Sequence, residues 1–126
     1  MRDYVVYHNT SKMGEEPNPF SAVTRKALAA KTVGDRIWLF AGAGTGQKVY
    51  TIVSWFIVED VSKSESAEFS YRLRGTVGKK FEPPIPLNDV EWFPDFLRSQ
   101  RNFRSGMQLI NDSEVVANLE KLASGS

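Results

Sequence analysis

Cysteine is missing from all 126 residues, and histidine occurs once, at His8. The first absence removes disulfides, thiolate zinc sites and a thiol nucleophile. The second leaves little for metal or acid–base chemistry, because useful metal affinity needs several histidines, cysteines or clustered carboxylates. No apolar run approaches the ~20 residues of a membrane span, and the stretch from Met1 to Tyr7 lacks the apolar core of a signal peptide. Both point to a cytoplasmic protein with no membrane partner. An excess of one charge is missing too: 16 Lys and Arg stand against 15 Asp and Glu, for a net +1. Any charged face must come from distribution. Motifs for chemistry are also lacking. There is no G-x-S-x-G elbow, and Gly42-Ala43-Gly44-Thr45-Gly46 has the wrong spacing for a dinucleotide fingerprint and precedes a strand. Pro94-Asp95 opens like a nuclease motif, but no Glu-x-Lys or Asp-x-Lys follows. The expectation is a protein with no cofactor, no metal and no catalytic residue.

What is present reads as one domain over residues 1–123, large enough to bury roughly two-thirds of its unfolded surface. The alternation of Tyr4 to His8 predicts a first strand, with Val5 and Tyr7 on one face and Tyr4, Val6 and His8 on the other. Asn9 to Pro19 reads as a loop, Phe20 to Thr24 is ambiguous between strand and loop, and Ala27 to Lys31 favours a helical turn. Gly34-Asp35 punctuates before a strand from Arg36 to Ala41. Val49 to Glu59 is apolar on both faces, with Tyr50, Ile52, Phe56 and Val58 set against Val49, Val53, Trp55 and Ile57, as in a central strand. Ser62 to Ala67 reads as a polar connector and Glu68 to Gly75 as a half-exposed strand. The prolines of Lys79 to Pro86 suggest extended chain crossing an open end. Pro94 opens a short helix, Gly106 to Ile110 is a closing strand, and Asn111 with Glu114 resembles a capping box for a last helix. Ala123-Ser124-Gly125-Ser126 reads as a tail. The order predicts an α+β domain: a small, mixed, partly closed β-barrel of four or five strands, flanked by short helices.

Three groups of residues invite a functional reading. Trp38 and Trp55 fall on neighbouring strands, where paired rings form walls for planar or cationic ligands. Trp92-Phe93 is better read as a plug beneath the short helix. Arg98, Arg101 and Arg104 recur at intervals of three, with Asn102 and Phe103 between them and Gln108 just beyond. Guanidinium groups there suit phosphates, while ring and amide face a base; a solvated helix face explains the arginines equally well. Arg25-Lys26 and Lys79-Lys80 are the other basic clusters that could hold phosphates. His8 either ends its strand with a local hydrogen bond or lines a ligand mouth beside Asn9.

The Gly34-Asp35-Arg36 turn into an aromatic strand, the long strand ending in Glu59-Asp60-Val61, and Asn102-Phe103 before Gly106-Met107-Gln108 carry a resemblance over about Asp3 to Leu122. So do His8-Asn9 and Phe20-Ser21-Ala22-Val23-Thr24. The chain resembles EVE-like members of the PUA-like superfamily, related to YTH, ASCH and SRA domains. That resemblance implies a pocket for a nucleobase extruded from nucleic acid, with DNA favoured over RNA and a nuclease fused or encoded nearby in a bacterial restriction or defence setting. It implies polar contacts from His8, Asn9, Ser21 and Thr24, stacking by Trp38, Trp55 and Phe103, and base-edge contacts from Asn102 and Gln108. A free-nucleoside binding protein, a hydrolase using His8 and a protein-interaction module remain as alternatives.

Overall fold

The computed structural model describes residues 1–44, 46–64, 68–104 and 106–125. In chain order it contains β1 (Asp3–Asn9), α1 (Thr10–Met13), β2 (Ser21–Thr24), a 3-10 turn (Ala27–Lys31), β3 (Arg36–Ala43) and β4 (Val49–Ile57). These are followed by β5 (Asp60–Lys63), β6 (Tyr71–Arg74), β7 (Gly78–Pro86), α2 (Phe93–Ser99), β8 (Met107–Leu109) and α3 (Ser113–Ser124). Five strands form a central sheet in the order β7-β4-β3-β1-β8, and three form a second sheet, β2-β6-β5. The fold is therefore α+β, with eight strands in two sheets and no closed barrel among the described residues.

β3 is the axis. Its residues from Arg36 to Gly42 are all buried, because an uninterrupted apolar run suits a strand covered on both faces. It pairs in parallel with β1 and antiparallel with β4. Alternation then sorts side chains between two layers. Tyr4, Val6, Ile37, Leu39 and Phe56 pack with Ala22, Ala29 and Leu73 from the second-sheet side. Val5, Trp38, Phe40 and Ile52 pack with Phe93, Phe96, Phe103, Leu119 and Ala123 from the helical side. The split within β1 follows the alternation expected of it.

β4 does not follow its expected alternation. A bulge shifts the register so that Phe40 faces Ile52 while Leu39 faces Ser54. Ile52 and Phe56, four residues apart, therefore enter opposite layers; one extra residue moves every later side chain to the other face. The shifted Ser54 hydroxyl donates to the Pro19 carbonyl, which ties β4 to the approach of β2.

Two segments read as irregular are strands. Lys79 to Pro86 lies within β7, antiparallel to β4 at an edge of the central sheet; prolines are tolerated there because an edge strand has N–H groups without ladder partners. Asp60–Lys63 forms β5 against β6, while Glu65 to Ala67 of the expected connector lie outside the described residues. The strand expected over Glu68 to Gly75 is confined to Tyr71–Arg74. At the corner between sheets, a Cβ on Gly75 would stand 2.0 Å from the Ile57 carbonyl oxygen, so only glycine permits this crossing.

The last helix is capped by Asp112, whose side chain accepts from Glu114 N–H, rather than by Asn111. It also continues into the supposed tail. Ala123 is buried against the helical-side core, and its carbonyl accepts from Lys79 Nζ at 3.1 Å.

Candidate functional site

The aromatic wall exists but is filled from within. Trp38 and Trp55 are directly opposed across β3 and β4, with ring centroids 6.4 Å apart and planes at 48°. The Arg36 guanidinium lies 4.7 Å from the Trp38 ring centroid and 5.6 Å from that of Trp55. Its Nε donates to Asp3 Oδ1 at 2.5 Å, and Trp38 Nε1 donates to the same oxygen at 2.9 Å. Trp38 is fully buried. The cation that such rings attract belongs to the chain itself, so Trp38 is a packing residue and not a stacking platform. Trp55 stays half-buried beside a shallow depression that the end of α3 borders.

Phe103 is also interior. At 4% exposure it stacks on Tyr7 with centroids 5.0 Å apart and meets Phe40 and Tyr50 edge-on. Arg101, Asn102 and Phe103 have φ of 53°, 55° and 61°, a left-handed turn made without glycine. It begins directly after α2, so Arg98, Arg101 and Arg104 do not line up as one helix face. Arg98 is paired with Asp95; Arg101 and Arg104 are exposed and form no ion pair among the described residues. The other basic residues lie elsewhere: Arg25 is 3.6 Å from Glu68, Lys80 is 2.7 Å from Glu82, and Lys26 donates its backbone N–H to Thr24 Oγ1. With Lys79 held under α3, these seven cations make no single phosphate-binding rim.

The residues that do converge surround a cleft of about 420 Å³ between β1, β2 and the chain from α1 to Asn18. His8 and Ser21 line it, together with Arg72, Glu15, Asn18 and Phe69. His8 Nε2 bonds to the Glu15 carbonyl oxygen at 2.8 Å. Arg72 Nη1 donates to Ser21 Oγ at 2.9 Å, and no carboxylate pairs with Arg72 among the described residues. At the mouth, Lys12 is 3.2 Å from Glu68. This exposed pair contributes ~0–1 kcal/mol and is easily opened.

The remaining expected contacts are dispersed. Asn9 Oδ1 accepts from the Lys12 N–H and caps α1 at the cleft's border. Thr24 is buried. Gln108 is opposite Val5 in the β1–β8 pair, on the helical face, because directly opposed residues share a face. Asn102 is exposed on the left-handed turn. Arg72 escaped the sequence reading because Ser70, Arg72 and Arg74 alternate as an outer strand face; the edge position of β2 is what places Ser21 beside it.

Among the described residues, no group of three or more His, Cys, Asp or Glu is placed to hold a metal ion, and no helix is long and apolar enough to cross a membrane. No family model matches the chain, and no curated protein matches it.

Proposed function

We propose that the chain is a non-catalytic module that takes a nucleobase, modified or drawn out of a nucleic acid, into the cleft beside His8, Ser21 and Arg72. The source is DNA in preference to RNA, in a bacterial restriction, defence or modification-sensing setting with a nuclease fused or nearby, as the resemblance to EVE-like domains implies. In that reading the two-sheet body is a PUA-like barrel left open along the cleft. The observation behind it is Arg72, a half-buried guanidinium whose bond is to a hydroxyl. A half-buried cation that no carboxylate among the described residues pairs with favours an acceptor-rich partner, and the planar donor fork of arginine fits a base edge. The Phe69 ring, 6.0 Å from the Arg25 guanidinium, lines the same cleft.

Glu15, Glu16 and Glu68 line that cleft as well, and this favours a second reading, a free nucleoside, since carboxylates repel a phosphate backbone. Salt separates the two. Affinity for an oligonucleotide falls steeply as salt rises, while affinity for a neutral nucleoside does not. Binding is measured with duplexes and single strands carrying plain, methylated and hydroxymethylated bases, and with the free nucleosides, for the natural chain and for Arg72→Met. The substitution weakens binding roughly ten- to hundredfold. Failure of every oligonucleotide and nucleoside to bind would end the proposal.

A further inference from the structure

We infer that the base taken by this cleft carries a sizeable apolar substituent, and that a second cleft beside the first receives it. The inference rests on the base-binding reading of the first cleft. The second cleft, of about 430 Å³, is floored by Ala41, Ala43, Thr51 and Val53 and bordered by Pro17 and Pro84; Phe81 also borders it, but its ring packs into the helical-side core. Leu39 lines the first cleft, and Ala41 and Ala43 follow at two-residue steps along β3, so both clefts open on one face of the central sheet. Glu16 lines both; they meet at that side chain.

The chain from α1 to Asn18 borders both, with Lys12, Met13, Glu15 and Asn18 at the first and Thr10 and Pro17 at the second. Gly14, Glu15, Glu16 and Asn18 are exposed there, and the bond between His8 and the Glu15 carbonyl fastens the segment to β1. The clefts differ in chemistry. The first presents a guanidinium, a hydroxyl and an imidazole, whereas the second presents the methyl groups of Ala41, Ala43 and Val53 and the pyrrolidine rings of Pro17 and Pro84, with its lysine, Lys80, already paired to Glu82. Each alone falls in the ~300–1,000 Å³ range of small-molecule sites. A bare or methylated base engages the polar cleft and leaves the apolar one empty. A base with an alkyl or aryl arm fills both, burying apolar surface where no polar group of the ligand is needed.

Calorimetry with two nucleoside series tests this: adenosine with hydrogen, methyl, butyl or benzyl on N6, and deoxycytidine with hydrogen, methyl, propynyl or phenyl on C5. In at least one series, affinity rises roughly tenfold for every two methylene equivalents buried. Ala43→Phe, at an exposed position, and Thr51→Phe each plug the second cleft, and in both the ratio of substituted to plain affinity falls toward one. Flat affinities in both series, or a ratio unmoved by both plugs in variants that remain folded by circular dichroism, overturns the inference while the base-binding reading stands. If no nucleoside in either series binds, and plain and modified oligonucleotides also fail, both fall.

Discussion

The phenol of Tyr7 lies against the ring of Phe103, planes 20° from parallel and centroids 5.0 Å apart, and this contact fastens the left-handed turn to β1. The turn would otherwise be poorly favoured, since three successive residues occupy a region that costs L-amino acids ~1–2 kcal/mol each. Backbone hydrogen bonds help: Phe103 N–H donates to the Gln100 carbonyl, and Tyr7 N–H to that of Gly106.

Phe103→Ala is expected to lower stability by about 3–5 kcal/mol, read as a lower urea midpoint. Loss of this anchor acts on the fold. A variant as stable as the natural chain would show that the ring is not packed as described.

Glycine at Arg101 relieves the left-handed conformation, and Arg101→Gly should raise stability by about 1 kcal/mol. Asn102→Gly should gain less, because asparagine tolerates this region better than other residues with a Cβ. Thermal melts of the two variants check the order as well as the sign.

The Tyr7 hydroxyl is buried with no hydrogen-bond partner among the described residues. It lies where a Cβ on residue 42 would be, 2.0 Å away, so Gly42 makes its room. Burial, reinforced by the neighbouring Tyr50, pushes Tyr7 from 10.0 up to about 12. Above the ordinary value the unfolded chain ionises Tyr7 while the folded chain keeps the proton. Its contribution to stability is therefore complete below about pH 10 and is lost as pH rises through about 12. Tyr7→Phe should flatten part of that alkaline decline in melting temperature, the rest belonging to Tyr50, which burial also raises. At neutral pH the substitution should be close to neutral, since it removes an unsatisfied group.

Asp3 and Arg36 are each 11% exposed at the side chain. Asp3→Ala leaves the guanidinium with only the more exposed Glu120 carboxylate, 3.6 Å away, and the buried Trp38 N–H without its acceptor, and should cost about 3 kcal/mol. The double variant Asp3→Leu with Arg36→Met should recover only part of that loss: an apolar pair of similar volume needs no desolvation of charge, but the buried Trp38 N–H still lacks its acceptor. Chemical denaturation of the single and double variants gives the comparison.

Much of the scaffold is legible in local pattern. Alternation marks β1, the Gly34-Asp35 punctuation marks the start of β3, apolar character on both faces marks β4 as an inner strand, and the turn at Ala27–Lys31 follows from its short alanine-rich run. The candidate site is less legible. His8 and Ser21 meet in one cleft, but Arg72 joins them through the pairing of β2 with β6, a contact between residues 51 positions apart. The bulge in β4 leaves no mark in composition, yet it decides which face Trp55 and Phe56 present. Interleaved arginine, amide and ring at residues 101–104 are read in a helical period, while the backbone there turns left-handed and sends Phe103 inward.

By itself, the order of residues determined that this chain has no thiol and a single imidazole, where its main strands run, and that indole, phenyl and guanidinium groups are close at hand. Those limits are local or compositional and need no partner to express them. Whether an aromatic ring lines a cavity or fills the interior depends on which layer closes over it, and here α2, α3 and the chain's own Arg36 close over Trp38 and Phe103. Cavities exist only between elements. The two clefts beside α1 were therefore decided when the second sheet and the segment after α1 packed onto the exposed end of β1 and β3.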